Sequence, residues 1–173
     1  MPYTATNMAP FTWAIDVYGR KAAVPGDGNQ LISLTHSDDL ARYVVKLLDV
    51  AEEGGSWDEW SVVVGEDVSL NEVVRIAERV RGAGEGERSE FQVTYDPIEE
   101  LENGNATVLP MPGKTEVEGE DDTVRELCAL FGRLYHYGVL HMPTENRLTD
   151  RLRDEIEVLG VEEFLVDAWK GRP

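Results

Sequence analysis

The chain has 173 residues, enough for one domain with a real core, and its 42% apolar and 8% aromatic content is that of a folded globular protein. Lys and Arg number 16 against 34 Asp and Glu, a net charge of −18 that repels phosphate backbones and anionic lipid. Nucleic acid and membranes are therefore poor partners, and Cys128, the single cysteine, excludes a disulfide framework or a CxxC metal site.

The opening stretch "MPYTATNMAPFTWAI" has neither a basic n-region nor a continuous apolar h-region, and no apolar run reaches the roughly 18 residues of a membrane span. A cytoplasmic location is expected. In "TWAIDVYGRKAAVPG", Trp13, Ile15 and Val17 alternate with Ala14, Asp16 and Tyr18, which predicts two short strands around a turn at Gly19-Arg20. Gly26-Asp27-Gly28 follows, and "LISLT" reads as another strand. Ser37 is the expected N-cap of the next helix, with Asp38 and Asp39 in its first turn, where the helix dipole favours negative charge. Leu40, Tyr43, Val44, Leu47 and Leu48 give that helix one apolar face.

"EEGGSWDE" reads as a loop and "WSVVVG" as a buried strand. Ser69 and Glu72 form a capping box ahead of Val73, Val74, Ile76, Ala77 and Val80, and "GAGEG" ends that helix. "FQVTYD" alternates as a strand, and "IEELENG" is a short helix closed by Asn103-Gly104. Residues 110–122, Pro/Gly-rich and then acidic, are expected to form a mobile loop. A longer helix, "DTVRELCALFGRLYHYGVL", and a terminal one, "VEEFLVDAWK", complete the pattern. The fold class is α/β, α+β in proportion: a single domain over 1–173 with a small sheet packed by helices.

Gly26-Asp27-Gly28 invites comparison with a phosphate cradle. Such a cradle needs backbone N–H groups converging at a helix N-terminus directly after a strand. Here the turn lies between two strands and contains an Asp, so it reads as a hairpin turn. Asp38-Asp39 is explained by the helix start without acid/base chemistry. The run Glu120 to Asp122 lacks the spacing of a calcium loop, and His136 and His141 lack that of a zincin, so no metal is expected. Cys128, on an apolar face, reads as a buried structural thiol.

Four segments, "AVPGDGNQLISLTHSDDLARYVVKLLD", "WSVVVGEDVSLNEVVRIAERV", "FQVTYDPIEELENGNATVLP" and "VEEFLVDAWKGRP", resemble in order and spacing the C-terminal part of the NmrA-like family. These proteins are relatives of the isoflavone reductase-like atypical short-chain dehydrogenases, and the resemblance runs from about Ala22 to the end. It implies the substrate lobe of an NAD(P)-linked reductase, without the Gly-rich cofactor turn or the catalytic Lys or Tyr-Lys pair. No cofactor is then bound by this chain alone. It further implies a small-molecule ligand in fungal specialised metabolism, with the late helices acting as a lid over the pocket. In such a pocket Tyr135, His136 and His141 of "RLYHYGVLHM" would contact substrate, although amphipathic packing with an exposed tip accounts for the same residues. Histidine is a residue type suited to proton transfer near neutrality, which singles out His136 there.

Two further classes stay open: a regulatory module that contacts a transcription factor, and a cofactor-independent isomerase or cyclase. A lobe separated from its partner lobe should also expose apolar surface, expected on the strands of Trp13, Ile15, Val17 and Val24. A homodimer or a separate protein would cover it.

Overall fold

The computed structural model describes residues 12–55, 59–82, 90–110 and 122–170. The tract expected as a mobile loop, together with Glu120 and Asp121, lies outside them but for its two end residues. The expected α/β composition is present, with five short strands in two small sheets and six helices among the described residues.

In the first sheet, β1 (Ile15–Asp16) pairs antiparallel with β2 (Lys21–Pro25), and β2 pairs in parallel with β5 (Gln92–Asp96). The turn between β1 and β2 places Arg20 at φ 55°, and the Asp16 carboxylate accepts the Gly19 N–H at 3.0 Å. As the central strand, β2 is buried from Ala22 to Pro25, which suits its small and β-branched side chains. The second sheet is the antiparallel pair β3 (Leu31–Leu34) and β4 (Glu66–Ser69), with Ser33 opposite Asp67. One sheet was expected; the chain makes two because β3 leaves the line of β2. Gly26-Asp27-Gly28 is therefore not a hairpin turn but a crossing from one sheet to the other. It needs left-handed backbone at Gly26 (φ 61°) and Gly28 (φ 73°).

The expected strand "WSVVVG" is also displaced. Trp60 is largely exposed, and the segment runs against residues 147–149: Leu148 N–H donates to Val62 O at 2.8 Å and Val64 N–H to Thr149 Oγ1 at 2.8 Å. The strand is the charged tetrapeptide that follows, because it is the one that meets β3.

Helix α1 (Ser37–Glu52) is capped one residue earlier than expected. His36 has extended backbone and its Nδ1 accepts the Asp38 N–H at 3.3 Å, while Ser37 is already helical. At the other end Gly54 (φ 81°) closes the helix, with Gly55 N–H donating to Val50 O. Tyr43 is fully buried over Leu148 and Ile156, yet Leu40, Val44 and Leu48 stand outward along one line, each close to half exposed. The apolar face read from the sequence is thus only partly used.

Helix α2 (Leu70–Gly82) starts where the capping box puts it, with Glu72 N–H donating to Ser69 Oγ at 3.2 Å. Replacing Ser69 by Ala is expected to lower stability by about 1 kcal/mol, read as a shift of the urea midpoint with unchanged m-value. An unmoved midpoint would show that the hydroxyl caps nothing.

Helix α3 (Ile98–Glu102) closes on Asn103 and Gly104, and α4 (Asp122–His136) packs on it through Leu101, Cys128 and Ala129. α4 is four residues shorter than expected. Gly138 (φ 71°) ends it, with Val139 N–H donating to Leu134 O and Gly138 N–H to Tyr135 O. Cys128 is buried as expected, and burial pushes its thiol pKa up. α5 (Leu148–Arg151), a single turn missed in the sequence, precedes α6 (Val161–Trp169), which lies on α2.

The main core joins both sheets to α2, α4 and α6 through Val24, Ile32, Val68, Ala77, Tyr135 and Leu165. Val24 is fully buried, and Trp13, Ile15 and Val17 pack against this core. The expected apolar exposure is therefore not on these strands. It is on α1.

Candidate functional site

A cavity of about 330 Å³ opens where the end of β3, the start of β4, α2 and α6 meet. Leu34, Val73, Leu159, Val161, Phe164 and Leu165 give it apolar walls, and Thr35, His36, Ser37 and Glu66 supply its polar groups. Several of those groups are already engaged. Thr35 Oγ1 donates to Val63 O at 3.1 Å and accepts from Gly65 N–H at 3.3 Å. The Glu66 carboxylate accepts the first N–H of α6, from Val161, at 2.7 Å. It passes so close to Gly160 that a Cβ there would lie 3.2 Å from Glu66 Oε2. His36 turns its ring toward Phe164, with centroids 5.5 Å apart and planes at 48°.

One wall is tied from behind. Asp39 is almost fully buried, and its Oδ2 accepts the Leu159 N–H at 2.8 Å. Arg42 bonds the other Asp39 oxygen and also donates to Glu157 O at 2.7 Å. Asp39 thus joins the first turn of α1 to the segment that leads into α6. The structural reading of the Asp pair fits, for a stronger reason than the helix dipole alone.

The residues singled out in the sequence fall elsewhere. Tyr135 is fully buried; its hydroxyl donates to Gln30 O at 2.5 Å and accepts the Leu70 N–H at 3.2 Å. Burial raises its pKa, and both hydrogen-bonding directions of the oxygen are in use. His136 lies under the inter-sheet turn, where a Cβ on Gly26 would come within 2.8 Å of its Nδ1. His141 Nε2 sits 3.4 Å from Asp67 Oδ2. None of the three lines the cavity described above.

Asp67 is the centre of a second cluster. Ser33 Oγ donates to its Oδ1 at 2.5 Å, Arg147 donates to its Oδ2 at 2.5 Å, and Met142 N–H donates to Ser33 Oγ at 2.9 Å. Arg147 also donates to Pro143 O and Met142 O, each at 2.7 Å. Ser, His and Asp are all here, but in the wrong order for nucleophilic catalysis. The imidazole must stand between serine and carboxylate, whereas here the carboxylate stands between the other two. The cluster is a clasp that fastens the 141–147 loop to the second sheet. Burial disfavours the charged form of Asp67, but the hydrogen bonds from Arg147 and Ser33 outweigh it, so its pKa is lowered from the ordinary 3.8.

Sequence reasoning missed His36, Glu66 and Phe164. The available signal was the polar run Thr35-His36-Ser37 directly after an apolar strand; nothing local marks Glu66 or Phe164, which are about 30 and 130 residues further along. Among the described residues no cluster of three or more His, Cys, Asp or Glu is placed to hold a metal ion, and no helix is long and apolar enough to cross a membrane.

Two proteins named oxidoreductase swnN are similar to nearly the whole chain. The one from Metarhizium robertsii is 28% identical over 98% of this chain and 48% of its own length. The one from Arthroderma benhamiae is 25% identical over 98% of this chain and 57% of its own length. Oxidoreductase swnR of Metarhizium robertsii is 31% identical over 39% of this chain. The chain thus spans about half the length of the curated relatives it matches end to end, and these are fungal oxidoreductases. No family model and no solved structure matches it.

Proposed function

We propose that the chain forms the substrate-binding part of an NmrA-like, NAD(P)-linked reductase-type protein of fungal specialised metabolism, holding a small molecule and not the dinucleotide. The observation that carries this reading is the similarity of 98% of the chain to about half of each oxidoreductase swnN. The Gly-rich turn supports the second part. Gly26 N–H donates to Asp96 O, Gly28 N–H to Pro25 O and Asn29 N–H to Asp27 Oδ1, so these three amides are already committed. A pyrophosphate would find the Asp27 carboxylate, whose pKa the Asn29 hydrogen bonds lower, in place of free donors. Calorimetric titration of the chain with millimolar NADPH is expected to give no saturable heat. A micromolar dissociation constant would overturn the reading.

The outward line of Leu40, Val44 and Leu48 is assigned in the same proposal to a protein partner, either a second copy or a separate chain. The charge of −18 opposes self-pairing at low salt. Light scattering is expected to show dimer growing with salt, and Leu48→Lys should abolish that growth. A monomer at both ionic strengths refutes the homodimer.

A further inference from the structure

The cavity beside His36 has a lining specific enough to limit what it can take. We propose that it binds a neutral, apolar molecule of about two fused rings that carries a carbonyl-type acceptor, with the acceptor on the His36 N–H and the rings against Phe164. This inference deepens the small-molecule reading above and rests on it.

Size comes first. An apolar cavity of about 150 Å³ holds benzene, so about 330 Å³ accommodates roughly two rings. The walls then require that most of the ligand be apolar. Thr35 has no hydrogen-bond donor to offer, since its hydroxyl proton already goes to Val63 O, and its oxygen also accepts from Gly65.

His36 sets the polarity of the contact beside Phe164. Its Nδ1 accepts the Asp38 N–H, so in the neutral ring the proton sits on Nε2, at the edge away from the backbone. A neutral imidazole held this way is a donor, and its complement is a ligand oxygen that accepts. Glu66 sets the charge. Its carboxylate is fixed in the lining by the Val161 N–H, and it repels an anion. A ligand ammonium would be attracted to Glu66 but would leave the His36 donor without an acceptor. A neutral carbonyl compound meets both conditions. Phe164, near the surface at 44% exposure, can swing to admit the ligand and then stack on it.

The probe is 2-acetylnaphthalene, titrated into the ¹⁵N-labelled chain beside 2-ethylnaphthalene, 2-naphthoate and 2-naphthylmethylamine. The ketone should bind best, about tenfold tighter than the hydrocarbon, with amide shifts at Gly160, Val161 and Phe164. Val73→Phe, which fills the cavity, should remove these shifts. His36→Asn keeps a good cap residue but removes the ring, and should bring the ketone-to-hydrocarbon ratio close to one. The dispersion of the amide spectrum reports whether each variant is folded. Tighter binding of the naphthoate or the amine overturns the ligand class. Shifts confined to the amides of 136–142 overturn this site while leaving the small-molecule reading intact. Silence from all four probes overturns the inference and leaves the reading above to its own calorimetric test.

Discussion

Replacing Arg147 by Ala is expected to cost about 3 kcal/mol of stability. Arg147 is buried and makes three kinds of contact at once: Asp67 Oδ2, Pro143 O and Met142 O. Its removal takes the guanidinium donor from two carbonyls and from Asp67 Oδ2, leaving the carboxylate only the Ser33 hydroxyl on Oδ1, and each such loss carries a desolvation penalty. Lys at this position should recover little, because an ammonium cannot spread its donors over the three sites that the planar guanidinium reaches. The pH profile separates this cause from lost packing. With its pKa depressed in the folded state, Asp67 contributes stability that is present above the unfolded carboxylate range near pH 4 and lost as pH falls through the lower folded value. Without Arg147 the burial remains and the compensation goes, so the acid limb should move to higher pH. Urea melts between pH 3 and 7 test this; parallel profiles for the two proteins would show that Arg147 acts only through its bulk.

Replacing Asp39 by Ala is expected to cost about 2–3 kcal/mol and also to impair the cavity. The substitution strands the Leu159 N–H and frees Arg42 from the carboxylate that holds it. Leu159, Gly160 and Val161 line the cavity, so the wall loses its anchor to α1. Thermal denaturation gives the first effect. Hydrogen exchange at the Leu159 amide gives the second, because protection there should drop well below that of the α2 core. Equal loss of protection everywhere would mean that Asp39 stabilises the fold without positioning the wall.

How much could be read in the sequence depends on how local each cause is. The β1–β2 hairpin, the start of α2 at Ser69 and the end of α3 at Gly104 are set by neighbours within a few residues, and each falls where the sequence put it. The strand at Glu66–Ser69 is not set locally. Its composition is that of a loop, and it is a strand because Leu31–Leu34 lies beside it, while the β-branched Val62–Val64 is drawn to the turn around Leu148. The same distinction governs the helices. The period of α1 was legible, but which side faces inward is decided by Leu148 and Ile156, about a hundred residues away, so Tyr43 is buried and Val44 is not. The cavity is the extreme case, since it is lined from four separated parts of the chain.

That separation has a kinetic consequence. β2 can pair with β5 only after some 65 intervening residues have been placed, the Ser33–Asp67–Arg147 clasp waits for the last quarter of the chain, and α2 waits for α6. Much of the tertiary structure therefore forms only once segments far apart in the sequence are all present. Closing such distant pairings before they yield any stabilisation places folding toward the slow, millisecond-to-second end of the range for small domains. A nascent chain halted before Val161 would hold an unsealed β2–α2 core and a half-built cavity, a state that chaperones recognise and proteases cut.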